Sequence, residues 1–112
     1  MIFQLFFETM ADDIIWHQPG QHSNSGTVVG KEALGAHLAQ FSEKTNGTFK
    51  VLTNWVSENI DLVAANVTFV GTRPDGEELN MNGIDLFRMD DGKIKEVWLF
   101  SSDQAVEDAF WG

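Results

Sequence analysis

The chain of 112 residues contains no cysteine and no tyrosine. Without thiols it can have no disulfide, no thiolate nucleophile and no zinc–thiolate site. A cysteine-free chain is expected in a reducing cytoplasm, although that absence does not fix the compartment. Basic residues are few: seven Lys and Arg stand against seventeen Asp and Glu, a formal net charge of −10. A nucleic-acid binder neutralises phosphates with a basic cluster, and none is present. An anionic membrane surface is disfavoured for the same reason. Long apolar runs are missing too. No stretch approaches the ~18 residues that span a bilayer. The opening MIFQLFF is apolar, but it lacks a basic flank and is followed by Glu8. It does not read as a signal peptide.

What is present suits one folded domain over residues 1–112. The chain is 43% hydrophobic, with nine Phe and four Trp as packing mass. No repeat, linker or low-complexity tract interrupts it. Residues 2–10 are apolar almost all round and predict a short buried helix. Ile14 to His17 predict a short strand, ended by Pro19-Gly20. QHSNSGTVVG reads as a loop. From Lys31 to Thr45, Leu34, Leu38 and Phe41 recur at helical spacing, with Ala33 and His37 flanking them. Asn46-Gly47 stops that helix. The period then falls to two. Strands are predicted over 48–58, 62–72, 79–89 and 94–100, with a turn at Arg73-Pro74-Asp75-Gly76 and a tight hairpin at Asp91-Gly92. DQAVEDAFWG predicts one short helical turn. Helices followed by an antiparallel meander are α+β logic.

Few motifs carry chemistry. GTVVGKE resembles a phosphate loop only faintly, with one residue too few between its glycines and Glu32 where Ser or Thr is needed. His17, His22 and His37 match no familiar zinc spacing, so no metal is expected. His37 flanks an apolar helix face and reads as a satisfied, partly buried histidine. Trp16, Trp55, Trp98 and Trp111 read as core or interface mass, and Trp16 and Trp98 could also wall a pocket for a flat ligand.

Asp85 is the sharp feature. It sits mid-strand, with Gly83 and Phe87 as same-face neighbours. An ion pair with Lys95 or Arg73 is the simplest reading. A two-residue turn at Asp91-Gly92 places Asp85 opposite Trp98, and a three-residue loop places it opposite Val97. Neither register supplies a base, and Arg88 points to the other face. An unpaired carboxyl among apolar residues has its pKa raised by desolvation, which marks a functional-site candidate.

The segments ADDIIWHQPG, GTVVGKEALGAHLAQF, GIDLFRMDDGKIKEVWLF and DQAVEDAFW together resemble the nuclear transport factor 2-like superfamily. Within it, the likeness is to the SnoaL-like polyketide cyclase and ketosteroid isomerase branch. It runs from about Met10 to the C-terminus. Members usually begin with a longer helix, so the chain looks short at its N-terminus. In the isomerases, a strand like GIDLFRM carries a protonated aspartic acid that donates to an oxyanion. Asp85 matches it. Their general base precedes the Pro-Gly loop, where this chain has Gln18, and their second oxyanion donor is a tyrosine. Two of three parts are absent, which argues against steroid isomerisation by that route. The epoxide hydrolases of the superfamily need an Arg between two aspartates, and AANVTFVG offers neither. Cyclase-like proton transfer would use Asp85 and His17 only if both point inward. If Gln18 and Trp16 face the pocket, His17 faces away.

The resemblance implies a cone-shaped α+β roll, with helices packed on a curved, mostly antiparallel sheet around one pocket. Asp85, Gln18 and Trp16 are expected inside, with Val97 or Trp98 beside Asp85 according to register. Asn66 and Thr68, alternating on the neighbouring strand, are expected as polar companions. No cofactor is implied. The expected partners are a small apolar molecule bearing a carbonyl or hydroxyl, and a second copy bound through the outer sheet face. Two functions stand: a binding module without catalysis, or an acid–base isomerase or cyclase-like enzyme using Asp85, perhaps with His17.

Overall fold

A computed structural model of the protein describes residues 8–112. Six strands form one sheet: β1 (Met10–Gln18), β2 (Gly26–Val29), β3 (Lys50–Asn59), β4 (Leu62–Thr72), β5 (Glu78–Asp90) and β6 (Lys93–Ser101). Helix α1 (Lys31–Lys44) follows β2, and α2 (Gln104–Trp111) closes the chain. The strand order is β2-β1-β6-β5-β4-β3. All neighbours are antiparallel except β1 and β6, which run parallel. Both helices pack on the curved sheet, which makes an α+β roll.

Local chemistry explains the boundaries. Leu34, His37 and Phe41 form the buried face of α1. Asn46 (φ 54) and Gly47 (φ 80) adopt the left-handed conformation that ends the helix. Asp91 (φ 51) and Gly92 (φ 75) form a two-residue turn between the paired Asp90 and Lys93. Positive φ at both central residues is what a tight hairpin demands.

Period-two alternation sorts the sheet into an inner and an outer face. Ala65, Val67 and Phe69 of β4, Leu79, Met81 and Gly83 of β5, and Ile94 and Val97 of β6 point inward. Ile14, Trp16 and Gln18 of β1 do the same. The inward residues form two cores. One gathers Phe41, Val67, Phe69, Met81, Phe110 and Trp111. The other gathers Met10, Ile14, Trp16, Leu34, Ile94 and Val97. Leu38 and Phe87 pack against both and are themselves only partly buried.

The structure departs from the sequence-based expectations in several places. GTVV is not loop but β2, an edge strand paired with β1. It is four residues long, bounded by glycines at positive φ and exposed, so it shows no alternation. β1 begins at Met10, earlier than Ile14. The helix expected over residues 2–10 lies outside the described residues for 2–7, and Met10 belongs to β1. The tail is a two-turn helix capped by the Asp103 side chain, which accepts from the Val106 amide. Two bulges also interrupt the alternation. Lys95 is an extra residue in β6, because Met89 pairs with Ile94 while Arg88 pairs with Glu96. Asn54 is an extra residue in β3, between pairs Thr53–Val67 and Trp55–Asn66.

Candidate functional site

The Lys95 bulge decides what faces Asp85. The turn has two residues, yet Asp85 lies opposite Leu99, one position beyond Trp98. On its other side it lies opposite Ala65. Leu99 has the same parity as Val97, so Val97 shares the inner face with Asp85 and Trp98 does not.

Among the described residues no basic partner reaches Asp85. Lys95 binds Asp13 at 2.7 Å, and Arg73 donates to the Phe110 carbonyl. Burial and the nearby negative charge of Glu107 push the Asp85 carboxyl up to about 7. Solvent nonetheless reaches this spot. Asp85, Phe87, Leu99 and Leu38 are all partly exposed, while Trp16, Gln18, Ala65 and Val97 around them are buried. Strands β5 and β6 lie inside the sheet, so their inward side chains can meet solvent only through the inner face. Asp85 is therefore partly but not fully shielded between the two cores.

Gln18 forms the opposite wall. Its Oε1 accepts from the Trp16 indole Nε1 at 2.9 Å, and His37 Nε2 lies 3.0 Å away. An indole only donates, so the amide oxygen is fixed at this position and His37 Nε2 must also donate. The amide oxygen thus holds two partners, and Gln18 has only N–H groups left to offer. The β1–β6 register continues the row that pairs His17 with Trp98, setting Gln18 beside Leu99. Gln18 and Asp85 are then two strands apart, about 10 Å between backbones.

Sequence reasoning missed Glu107. It lies on α2 in one row with Phe110 and Trp111, at the i, i+3, i+4 spacing that makes a buried face. That spacing was a usable signal. Glu107 accepts from Gln104 Nε2 at 3.1 Å and Trp111 Nε1 at 3.3 Å. Burial still raises its carboxyl. His37, read as a satisfied core histidine, belongs to the inner wall through Gln18.

The structure places four expected site residues on the outer face, away from Asp85. His17 alternates with Gln18 and binds Glu96 at 2.6 Å, stacked 5.5 Å from Trp98. Its Nδ1 sits 3.3 Å from the Thr27 hydroxyl. Asn66 and Thr68 face outward because the inward residues of β4 are Ala65, Val67 and Phe69. Both accept from Asn54 Nδ2. A shallow outer cleft of about 190 Å³ involves Asn66, Asn82, Ile84 and Phe100. Among the described residues no three His, Asp or Glu side chains are grouped as metal ligands, and no helix is long and apolar enough to cross a membrane.

Comparison with known proteins agrees with this architecture. The profile of the SnoaL-like domain matches residues 3–97. A Xanthomonas campestris protein of unknown function with a cystatin-like fold is 45% identical, with TM-score 0.86, covering 93% of this chain and 81% of its own. A putative SnoaL-like polyketide cyclase from Jannaschia sp. CCS1 is 23% identical, with TM-score 0.77, over 97% of this chain and 78% of its own. TerC, co-crystallised with polyporic acid, is 19% identical, with TM-score 0.80, over 95% and 83%. No curated protein matches the chain. A family profile over most of the length, on an α+β roll of this topology, leaves one conclusion: the chain belongs to the SnoaL-like family of the nuclear transport factor 2-like superfamily.

Proposed function

We propose that the protein binds a small, largely apolar molecule bearing a carbonyl or hydroxyl at the seam between its two cores. The observation that carries this reading is the partly exposed Asp85, unpaired among apolar neighbours at the centre of the inner face. A protonated carboxyl there donates to a ligand oxygen, and Gln18 presents amide N–H groups from across Leu99. Phe87, Leu99 and Leu38 supply apolar contact. Structural neighbours described as a putative polyketide cyclase and as a polyporic acid complex support a ligand of this kind.

A second reading is acid–base catalysis by Asp85. A carboxyl held near 7 can both give and take a proton at neutral pH. His17 has no part in it, because it faces away. His37 is the imidazole on the inner side.

NMR titration of the ¹³C-labelled Asp85 carboxyl, with and without cyclohex-2-enone and related cyclic enones, tests both. The binding reading expects a titration near 7 that moves upward as ligand is added. An ordinary aspartate titration with no ligand response would sink it. Deuterium exchange from solvent into the bound enone distinguishes catalysis from binding alone.

The outer face supports a homodimer. Leu52, Trp55 and Phe100 are 53%, 53% and 55% exposed, and register puts all three on that face. Trp55→Glu and Phe100→Glu are expected to give a monomer in analytical ultracentrifugation. A wild-type monomer at 100 µM would refute the dimer.

A further inference from the structure

On the outer face, where β2, β1 and β6 run side by side, His17 stands between a hydroxyl and a carboxylate. Its Nε2 lies 2.6 Å from Glu96 Oε2, and its Nδ1 lies 3.3 Å from Thr27 Oγ1. These two bonds fix the chemistry of the neutral ring. A carboxylate only accepts, so Nε2 carries the proton. Nδ1 then keeps its lone pair and accepts the Thr27 O–H. Glu96 is itself held, because Arg88 Nη2 reaches its other oxygen at 3.4 Å. The bond from His17, with help from Arg88, keeps the Glu96 carboxyl below the usual carboxylate range. Trp98 stacks on the imidazole, 14° from parallel and 5.5 Å between centroids, and fixes the ring plane. Hydroxyl, imidazole and carboxylate in this order are the arrangement by which a base activates a hydroxyl nucleophile.

Strand pairing also supplies an oxyanion donor. The Gly30 amide bonds the Ile14 carbonyl at 2.8 Å, which makes Ile14 and Gly30 a hydrogen-bonded pair of the antiparallel ladder. Pairs then alternate, so Trp16 and Val28 exchange bonds while His17 and Thr27 do not. In such an unbonded pair the side chains approach closely. The Thr27 N–H points away from β1, toward the edge of the sheet, and no described strand lies beyond β2. Thr27 is exposed and presents its hydroxyl and its own amide together. The His17 side chain is 33% exposed, so a ligand can reach it. Val29, 62% exposed on the same face of β2, and its partner Ile15 give apolar contact for a short acyl chain. The net charge of −10 disfavours an anionic substrate.

We propose that Thr27, His17 and Glu96 form a catalytic site on the outer face, which hydrolyses small uncharged esters by acyl transfer through Thr27. Thr27 and His17 are its catalytic residues, and Glu96 is a positioning residue. Thr27 Oγ adds to the ester carbonyl carbon while its proton passes to His17 Nδ1. The carbonyl oxygen takes the negative charge beside the Thr27 N–H. As the carbonyl re-forms, its bond to the alcohol oxygen breaks, and that oxygen takes the proton from Nδ1. Water then gives a proton to Nδ1 and attacks the acyl-Thr27 ester, and the acid leaves as Thr27 recovers a proton. One ester and one water become one acid and one alcohol. The site lies on the opposite face of the sheet from Asp85 and does not depend on the binding reading. Leu52 and Trp55 of the proposed dimer patch are on β3, at the far edge of the sheet.

Hydrolysis of p-nitrophenyl acetate by the full chain tests the site. A burst of nitrophenolate is expected, with an acetyl group on Thr27 in peptide mass spectra. His17→Gln keeps a donor for Glu96 but has no base, and should lower kcat about a hundredfold. Thr27→Val has the same shape and suits a strand, so it should fold and lose the burst. Thr27→Ser should keep the burst. Glu96→Gln should lower kcat with KM unchanged, the mark of an interaction made only in the transition state. Wild-type activity no higher than that of free imidazole at the same concentration overturns the site. So does acetylation confined to lysines, or a Thr27→Val variant as fast as wild type.

Discussion

Asp85 and Glu107 stand on different elements, one mid-strand in β5 and one on the terminal helix, yet the charge on Glu107 opposes ionisation of Asp85. Both carboxyls are raised, first by burial, and both sit on the inner side of the roll. Neither has a lysine or arginine partner among the described residues.

Stability should therefore fall as pH rises toward neutrality. Asp85 titrates at about 7 when folded and at 3.8 when unfolded, so the folded state binds more protons between these values. The stability difference is fully present below 3.8 and is lost as pH rises to about 7. The span bounds the loss at about 4 kcal/mol, to be discounted because solvent reaches the group. Asp85→Asn removes this term. Urea unfolding from pH 5 to pH 8 should show the variant gaining on wild type toward pH 8. Parallel pH profiles would contradict the assignment.

His37 acts in the opposite direction. Burial, and then the neighbouring His22, hold its pKa below 6.5. Its contribution is present above 6.5 and is lost as pH falls below that value. His37→Leu removes one of the two donors to Gln18 Oε1, at a cost of about 1–2 kcal/mol at pH 8. At pH 5 the cost should shrink, because wild type must then charge a buried ring. A penalty of the same size at both pH values would show that the ring does not titrate with folding.

Gly83 limits what the sheet tolerates beside Asp85. A Cβ there would strike the Phe100 carbonyl oxygen and press on the Phe69 ring. The obstacle is backbone and cannot rotate away. Gly83→Ala should cost about 1–3 kcal/mol in chemical denaturation and should perturb the Asp85 titration. A variant as stable as wild type would mean that β5 and β6 part more readily than their pairing implies.

Much of the fold was legible along the chain. Leu34, Leu38 and Phe41 mark α1 by spacing, and Asp91-Gly92 marks the hairpin by its need for positive φ. Asp85 stood out because one carboxyl broke an apolar row. Alternation set Gln18 and His17 on opposite faces, and the family resemblance chose Gln18 as the inner one. These are local properties, set by period, turn chemistry and the identity of neighbouring residues.

What surrounds Asp85 was not local. The Lys95 bulge moved the ladder by one residue and exchanged Trp98 for Leu99, and a bulge leaves no clear mark in composition. Asn66 and Thr68 alternate correctly, but only packing shows that Ala65, Val67 and Phe69 own the inner face. β2 is too short and exposed to carry a period. Glu107 came within electrostatic reach of Asp85 only through the fold-back of α2 onto the sheet. The sequence by itself determined most of the elements and singled out an acid with no basic partner in register. The tertiary structure decided which residues face it and which carboxyl acts on it, because those depend on the approach of residues far apart in the chain.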